Sequence, residues 1–232
     1  MAWPAAGGLT GSLLLVPLGS TEQHGPHLPL GTDTLVARAV CTRLARARDD
    51  VVVAPALPYG SSGEHAGFPG TLSIGQNALE TVVIELARSA DAYAGVVFVS
   101  GHGGNAEALT RAVATCAAEG RKVLAWWPTP ESLAGVLDRD TVLTDAHAGR
   151  TETSVLLHLE PGSVGAVPDR LPAPRPTAEI APTLRSRGVV AVSETGVLGD
   201  PRGASAAEGQ AILDALVTDL EKAMTTWLEN AS

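Results

Sequence analysis

Cysteine, aromatic residues, basic runs and long apolar runs are all scarce in this chain, and each scarcity excludes something. The two cysteines, Cys41 and Cys116, lie in apolar helical patterns with no C-x-x-C partner. That excludes a disulfide framework or a thiolate zinc knuckle and leaves two buried thiols. Aromatics make up 3% of the 232 residues, the net charge is −9, and no basic run occurs. Nucleic acid and anionic membrane surfaces are therefore poor partners. No apolar run approaches the roughly eighteen residues of a membrane span. The opening MAWPAAGGLTG lacks the positive charge of a signal peptide, so a cytoplasmic protein is expected. What is present is 45% hydrophobic and 18% charged residues. That suffices for one sizeable core, in a single domain spanning 1–232.

Strand and helix patterns alternate. Leu13 to Leu18 is a continuous apolar run, as expected for a strand buried on both faces. Thr34 to Ala47 reads as a helix with Asp33 near its start, and Val51 to Leu57 as a second buried run. A helix follows over Ala78 to Ala90, with Leu79, Val82, Val83, Leu86 and Ala90 on one face. Val96 to Ser100 is a third strand, and Asn105 to Ala118 a helix with Leu109, Ala112, Val113 and Cys116 inward. Val123 to Trp127 is a fourth strand and Thr151 to Leu159 a further helix. The proline-rich stretch from Pro168 to Pro182 reads as an ordered wrapping loop. A last helix, from about Ala204 to Leu228, carries Leu213, Leu216, Val217, Leu220, Met224 and Trp227 on one stripe. This order predicts an α/β fold with a mostly parallel sheet covered by helices.

Ligands of a parallel sheet bind at the carboxyl ends of its strands, and the polar clusters fall there. The first strand runs into GSTEQHGPHLPLGTDT, Gly19 to Thr34, which holds Glu22, His24, His27 and Asp33. Its prolines and glycines exclude a regular helix or a paired central strand, so it must be a shaped loop. Carboxylates and imidazoles on such a loop suit Zn, Mn or Fe(II). His27, among prolines, either braces the loop or joins the metal. The second strand runs into Glu64 and His65, which either brace their loop or orient a ligand or substrate. The third runs into GHGGN. A phosphate-cradling loop is the rival reading there, but Lys and the G-x-G-x-x-G spacing are absent, so His102 reads as a metal ligand. Downstream, Glu152 opens a helix and could merely cap it. With His147 five residues earlier, a metal or catalytic role gains ground. His158, inside an apolar helix, reads as a packed histidine. Two ions bridged by a carboxylate explain the ligand count and support amide hydrolysis. Without a G-x-S-x-G elbow or a Cys-His motif, covalent catalysis is disfavoured.

Together, GSTEQHGPHLPLGTDT, YGSSGEHAGFPGT, GHGGN and HAGRTETS resemble the creatininase family of metal-dependent amidohydrolases, in order over most of the chain. The tail GVVAVSETGVLGDPRGASAAEGQ, with TETSVLLHLEP, resembles one branch, peptidases that trim a ribosomally made precursor peptide. That branch is implied to release a cyclised product derived from a modified C-terminal Val-Tyr pair. The resemblance implies that Glu22, His24, Asp33 and His102 bind one or two divalent ions, with Asp33 as the bridge. Creatininase carries a carboxylate two residues after the ligand His; here Gly104 stands there, and Glu152 is the candidate replacement. His147 matches a histidine implied in proton transfer. The implied fold is a three-layer α/β/α sandwich, assembled as a homo-oligomer, a hexamer by family habit. Two other functions compete: hydrolysis of small cyclic amides or formamides on the same site, and a non-catalytic binding subunit. Intact Glu22, His24, Asp33 and His102 oppose the last.

Overall fold

A computed structural model of the chain describes residues 7–230; the first six residues of the stretch read for a leader lie outside it. Four strands, β1 Leu13–Leu18, β2 Val51–Val53, β3 Gly95–Ser100 and β4 Val123–Trp126, form a parallel sheet in the order β2-β1-β3-β4. Leu13 pairs with Gly95 and Leu18 with Ser100, so β1 and β3 end level. Their following loops therefore leave the sheet side by side, and this register positions the site.

Seven α-helices are described: α1 Thr32–Ala47, α2 Gly75–Ser89, α3 Ala106–Ala118, α4 Arg139–Thr144, α5 Arg150–Leu159, α6 Thr177–Arg187 and α7 Ala206–Asn230. Successive strand side chains point to opposite faces. Leu13, Leu15, Val97 and Val99 pack with Val40 and Leu44 of α1, Val155 and Leu156 of α5, and Leu213, Leu216 and Leu220 of α7. Val16, Leu18, Val96 and Phe98 pack on the other side with Leu79 and Val83 of α2 and Leu109 and Ala112 of α3. This is the expected three-layer α/β/α arrangement, and it explains why β1 and β3 read as unbroken apolar runs. Phe98 is fully buried between layers; its truncation to Ala should cost about 3–5 kcal/mol. Cys41 and Cys116 are buried free thiols. Among the described residues no helix is long and apolar enough to cross a membrane.

The differences from expectation have local causes. The second apolar run keeps strand pairing only over Val51–Val53, because Pro55 and Pro58 have no N–H to donate. Leu57 rejoins β1 alone, donating to the Pro17 carbonyl at 2.9 Å. In α2, Ala87 is buried and Leu86 is 36% exposed; Leu79, Val83 and Ala87 share the i, i+4 row that meets the core. The proline-rich stretch contains a helix, α6, with Pro182 inside it. Ile180, packed with Val189 and Leu198, anchors that helix and outweighs the backbone bond that Pro182 removes.

Candidate metal centre

Three loops are clamped where β1 and β3 end. Buried Asn105 accepts the Ser61 N–H through Oδ1 at 2.8 Å and donates through Nδ2 to the Gly19 carbonyl at 3.1 Å and Ser100 Oγ at 3.2 Å. Against this clamp the chain after β1 carries Glu22 and His24, then turns into α1 with Asp33 in the first turn. His102 follows β3, and Glu152 lies in the first turn of α5. Topology thus brings together the five residues expected to bind metal. The sequence signalled Asn105 only as the end of GHGGN.

Hydrogen-bond polarity decides what the cluster can hold. His24 Nδ1 lies 3.1 Å from the Glu22 main-chain carbonyl, which only accepts, so Nδ1 carries the hydrogen. The lone pair of a neutral ring then sits on Nε2, facing Asp33 Oδ1 at 3.0 Å and Glu152 Oε1 at 3.7 Å. His102 repeats the pattern. Its Nε2 is 3.1 Å from the Ser61 carbonyl, and its Nδ1 faces Glu22 Oε1 at 3.2 Å and Asp33 Oδ2 at 3.5 Å. Asp33 presents one oxygen to each histidine. Both Glu22 oxygens and Asp33 Oδ2 are buried without a hydrogen bond; the 3.2 Å approach of His102 to Glu22 lacks hydrogen-bond geometry. Buried acceptors facing acceptors are strongly destabilising unless a cation or a shared proton lies between them. Ligand atoms of Glu22, Asp33 and His102 lie within 4.8 Å of one another, as do those of His24, Asp33 and Glu152 and those of Glu22, His24 and His147. The donor set, oxygen and imidazole without thiolate, fits a divalent transition ion.

The charges are tightly coupled. Burial alone would raise Glu22, but His102, His65 and His147 hold it well below the usual carboxylate range. Burial, then the Glu22 charge, pushes Asp33 up to about 6. Burial would likewise depress His24 and His102, yet the facing carboxylates hold both well above the ordinary imidazole value. His147 goes the other way, down to about 3, through burial and then the neighbouring charge on His24.

The other expected residues divide. Glu64 Oε1 lies 3.4 Å from His102 Nε2, on the side of the ring away from Glu22. A Cβ on Gly104 would collide with that oxygen and with His102 Nε2, and would come within 2.6 Å of the Ser61 carbonyl. Glu64 thus fills the space that a side chain at 104 would need. His65 Nε2 reaches Glu22 Oε1 at 3.2 Å, and His147 Nδ1 stands 3.8 Å from the same oxygen. His27 is buried and bonds Thr153 Oγ1 through Nε2 at 3.0 Å, so it braces its loop against α5. His158 is a half-buried partner of Arg43, at 2.7 Å, rather than a core histidine. It lines a shallow hollow of about 510 Å³ with Arg43, Arg46 and Asp214, away from the metal cluster. Two residues to which the sequence assigned no role shape the α5 entry. Asp145 accepts the N–H groups of Arg150 and Thr151 at 2.9 and 2.7 Å. Ala148 has φ 51°, a left-handed conformation uncommon outside glycine, and its N–H donates to Glu152 Oε2 at 2.5 Å.

A parallel α/β sandwich with carboxylates and imidazoles converging at its strand ends defines a candidate metal site of the kind that hydrolases use. The sequence profile described as creatininase, creatinine amidohydrolase, matches residues 1–224, and the chain belongs to the creatininase family. It is 50% identical over 223 residues to the mycofactocin precursor peptide peptidase of Mycolicibacterium smegmatis, covering 93% of this chain and 85% of that protein. It is 29% identical over 238 residues to the creatinine amidohydrolase of Pseudomonas putida, covering 91% and 88%. A solved creatininase described as the Mn form superposes with a TM-score of 0.77 at 26% identity, over 97% of this chain and 95% of that one.

Proposed function

We propose that this chain is a metal-dependent peptidase that cleaves the amide bond before the modified C-terminal Val-Tyr pair of a mycofactocin precursor peptide. Similarity to proteins of that name supports the substrate. The observation that carries the chemistry is the pair of acceptor trios that share Asp33. One ion, of Zn, Fe(II) or Mn, would be held by His24 Nε2, Asp33 Oδ1 and Glu152 Oε1. A second would be held by Glu22, Asp33 Oδ2 and His102 Nδ1. Such ions supply Lewis acidity, polarising an amide carbonyl and acidifying water.

The remaining residues handle protons and the peptide. His147 Nε2 is held by the Gln23 main-chain carbonyl at 2.7 Å, which leaves Nδ1 facing Glu22. With its Nε2 hydrogen committed to that carbonyl, the lone pair on Nδ1 lets it enter the reaction as a proton acceptor. Nδ1 takes a proton from the attacking water and returns it to the leaving amine. The proton transfer that the resemblance implies for His147 is then a shuttle with both halves on Nδ1. Leu30, Leu72 and Ile74 are all at least 38% exposed. Leu30 and Leu72 pair through the main chain with Glu22 and Thr21, and Ile74 with Gly60. This apolar rim beside Glu22 suits a peptide end better than a small polar amide.

The test offers the metal-loaded protein both modified precursor peptide and creatinine, with products read by mass spectrometry. A shortened precursor and a small C-terminal product are expected. Efficient creatinine turnover with an untouched peptide would restore the small-amide reading.

A further inference from the structure

Gln23 lies between two expected metal ligands in the chain, yet its side chain belongs neither to the metal set nor to the proton shuttle. It is buried, 5% exposed, and its amide orientation is fixed at both ends. Oε1 accepts the Gly25 N–H at 2.8 Å, and Nε2 lies 3.2 Å from the Gly196 carbonyl, which can only accept. Gly196 has φ +81°, and a Cβ there would strike Gln23 Oε1, so glycine is what lets the amide lie flat against that strand of chain.

With one amide hydrogen directed at Gly196, the other points to His65 Nδ1 at 2.9 Å. That nitrogen must accept, so a neutral His65 carries its hydrogen on Nε2, 3.2 Å from Glu22 Oε1. The main chain of the same residue fixes a second ring. The Gln23 carbonyl requires a hydrogen on His147 Nε2, so the His147 lone pair is on Nδ1, facing the same Glu22 oxygen. The 3.1 Å approach of Gln23 Nε2 to His147 Nε2 is then donor against donor and is no hydrogen bond.

We propose that Gln23 is a positioning residue that sets the proton on two histidines in opposite senses. Its side chain makes His65 present an N–H to Glu22, and its main chain makes His147 present a lone pair. The His65 N–H thereby turns its positive edge toward Glu22 at 3.2 Å, without hydrogen-bond geometry, while the His147 lone pair stays free to take a proton. Only the first effect depends on the side chain, and this separates the proposal from a general structural role. It rests on the peptidase reading for its turnover arm alone.

The experiment is ¹⁵N NMR of histidine-labelled protein, zinc-loaded and chelator-stripped, comparing wild type, Gln23→Glu and Gln23→Met. His65 and His147 signals are assigned by their loss in His65→Gln and His147→Gln. In the wild type both rings should carry their hydrogen on Nε2. Gln23→Glu keeps an acceptor for Gly25 but has no donor, so His65 should gain a hydrogen on Nδ1. Gln23→Met, with neither donor nor charge, should give His65 a mixture of tautomers, and it decides the matter if the Glu variant does not fold. His147 should keep its Nε2 hydrogen in all three. In parallel, kcat on the peptide should fall roughly 10–100-fold with KM little changed. An unchanged His65 signal in both variants, or a His147 change that tracks His65, overturns the proposal. The spectra do not depend on the substrate, so failure of the peptidase reading would leave them standing.

Discussion

Two clusters of charged side chains on this molecule have opposite hydrogen-bond arithmetic. Between α2 and the end of α3, Arg88 meets Glu85 at 2.6 Å and also meets Glu119, while Arg121 meets Glu119 at 3.2 Å and also meets Asp91. Every carboxylate there faces a guanidinium, and most of the groups keep contact with water. Among the described residues no Arg or Lys approaches the carboxylates around Glu22; their neighbours are imidazoles, and three carboxylate oxygens are buried without a hydrogen bond. The first cluster is complete as it stands. The second leaves buried acceptors that only protons or metal cations can satisfy, and that incompleteness marks a candidate site rather than a scaffold.

The largest test of this contrast is Asp33→Ala. Asp33 gives one oxygen to each trio, so its loss should strip both ions and lower turnover by at least about 100-fold, read by elemental analysis and peptide assay. Full metal content in that variant would show that Asp33 bridges nothing. Calorimetry on chelator-stripped wild type sharpens the point. The facing carboxylates hold His24 and His102 above the ordinary imidazole value, so protons compete with zinc for both rings. Asp33, at about 6, must also be ionised to bind. Affinity should therefore rise with pH and be lost as pH falls through about 6. Zinc uptake at pH 7 without proton release would contradict this.

A smaller effect is expected where the two kinds of cluster meet. Glu64 is 27% exposed, like a surface carboxylate, but it touches the far nitrogen of His102. Glu64→Ala should leave the fold intact and weaken metal binding roughly 10–100-fold, by releasing the His102 ring. An unchanged dissociation constant would class Glu64 with the scaffold. Gly104→Ala approaches the same contact from the other direction. Its Cβ would displace Glu64 and His102 together, so it should be at least as damaging.

The legible parts of the molecule were those with a local cause. Runs such as Leu13–Leu18 and Val96–Val99 announce strands covered on both faces, and the loops after them announce a site because parallel strands end at one edge. Glu22, His24, Asp33 and His102 could be found that way, and they converge. What could not be read depends on partners distant in sequence. The burial of Ile180 against Leu198 made a helix where prolines argued for a loop. The roles of Asn105 and Gln23 come from carbonyls and amides on other loops, which no spacing rule encodes. His158, apolar in its sequence setting, faces Arg43 because the phase of α5 turns it outward.

The smallest effect is the control that gives the others meaning. Arg88→Ala removes the hub of the α2–α3 network, including its contacts to both Glu85 and Glu119. Exposed ion pairs gain little, because water and salt screen them and ordering two long side chains opposes the gain. Glu119 keeps Arg121 as a second partner, so no carboxylate of the network is stranded in a dry place. Metal content and peptide turnover should match the wild type, and Tm should drop by no more than about 3 °C, less at high salt. If Arg88→Ala instead lowered metal content as Asp33→Ala is expected to, charge pairing on the surface and charge burial at the strand ends would be one coupled system. The division between a finished scaffold and a site completed by cations would then fail.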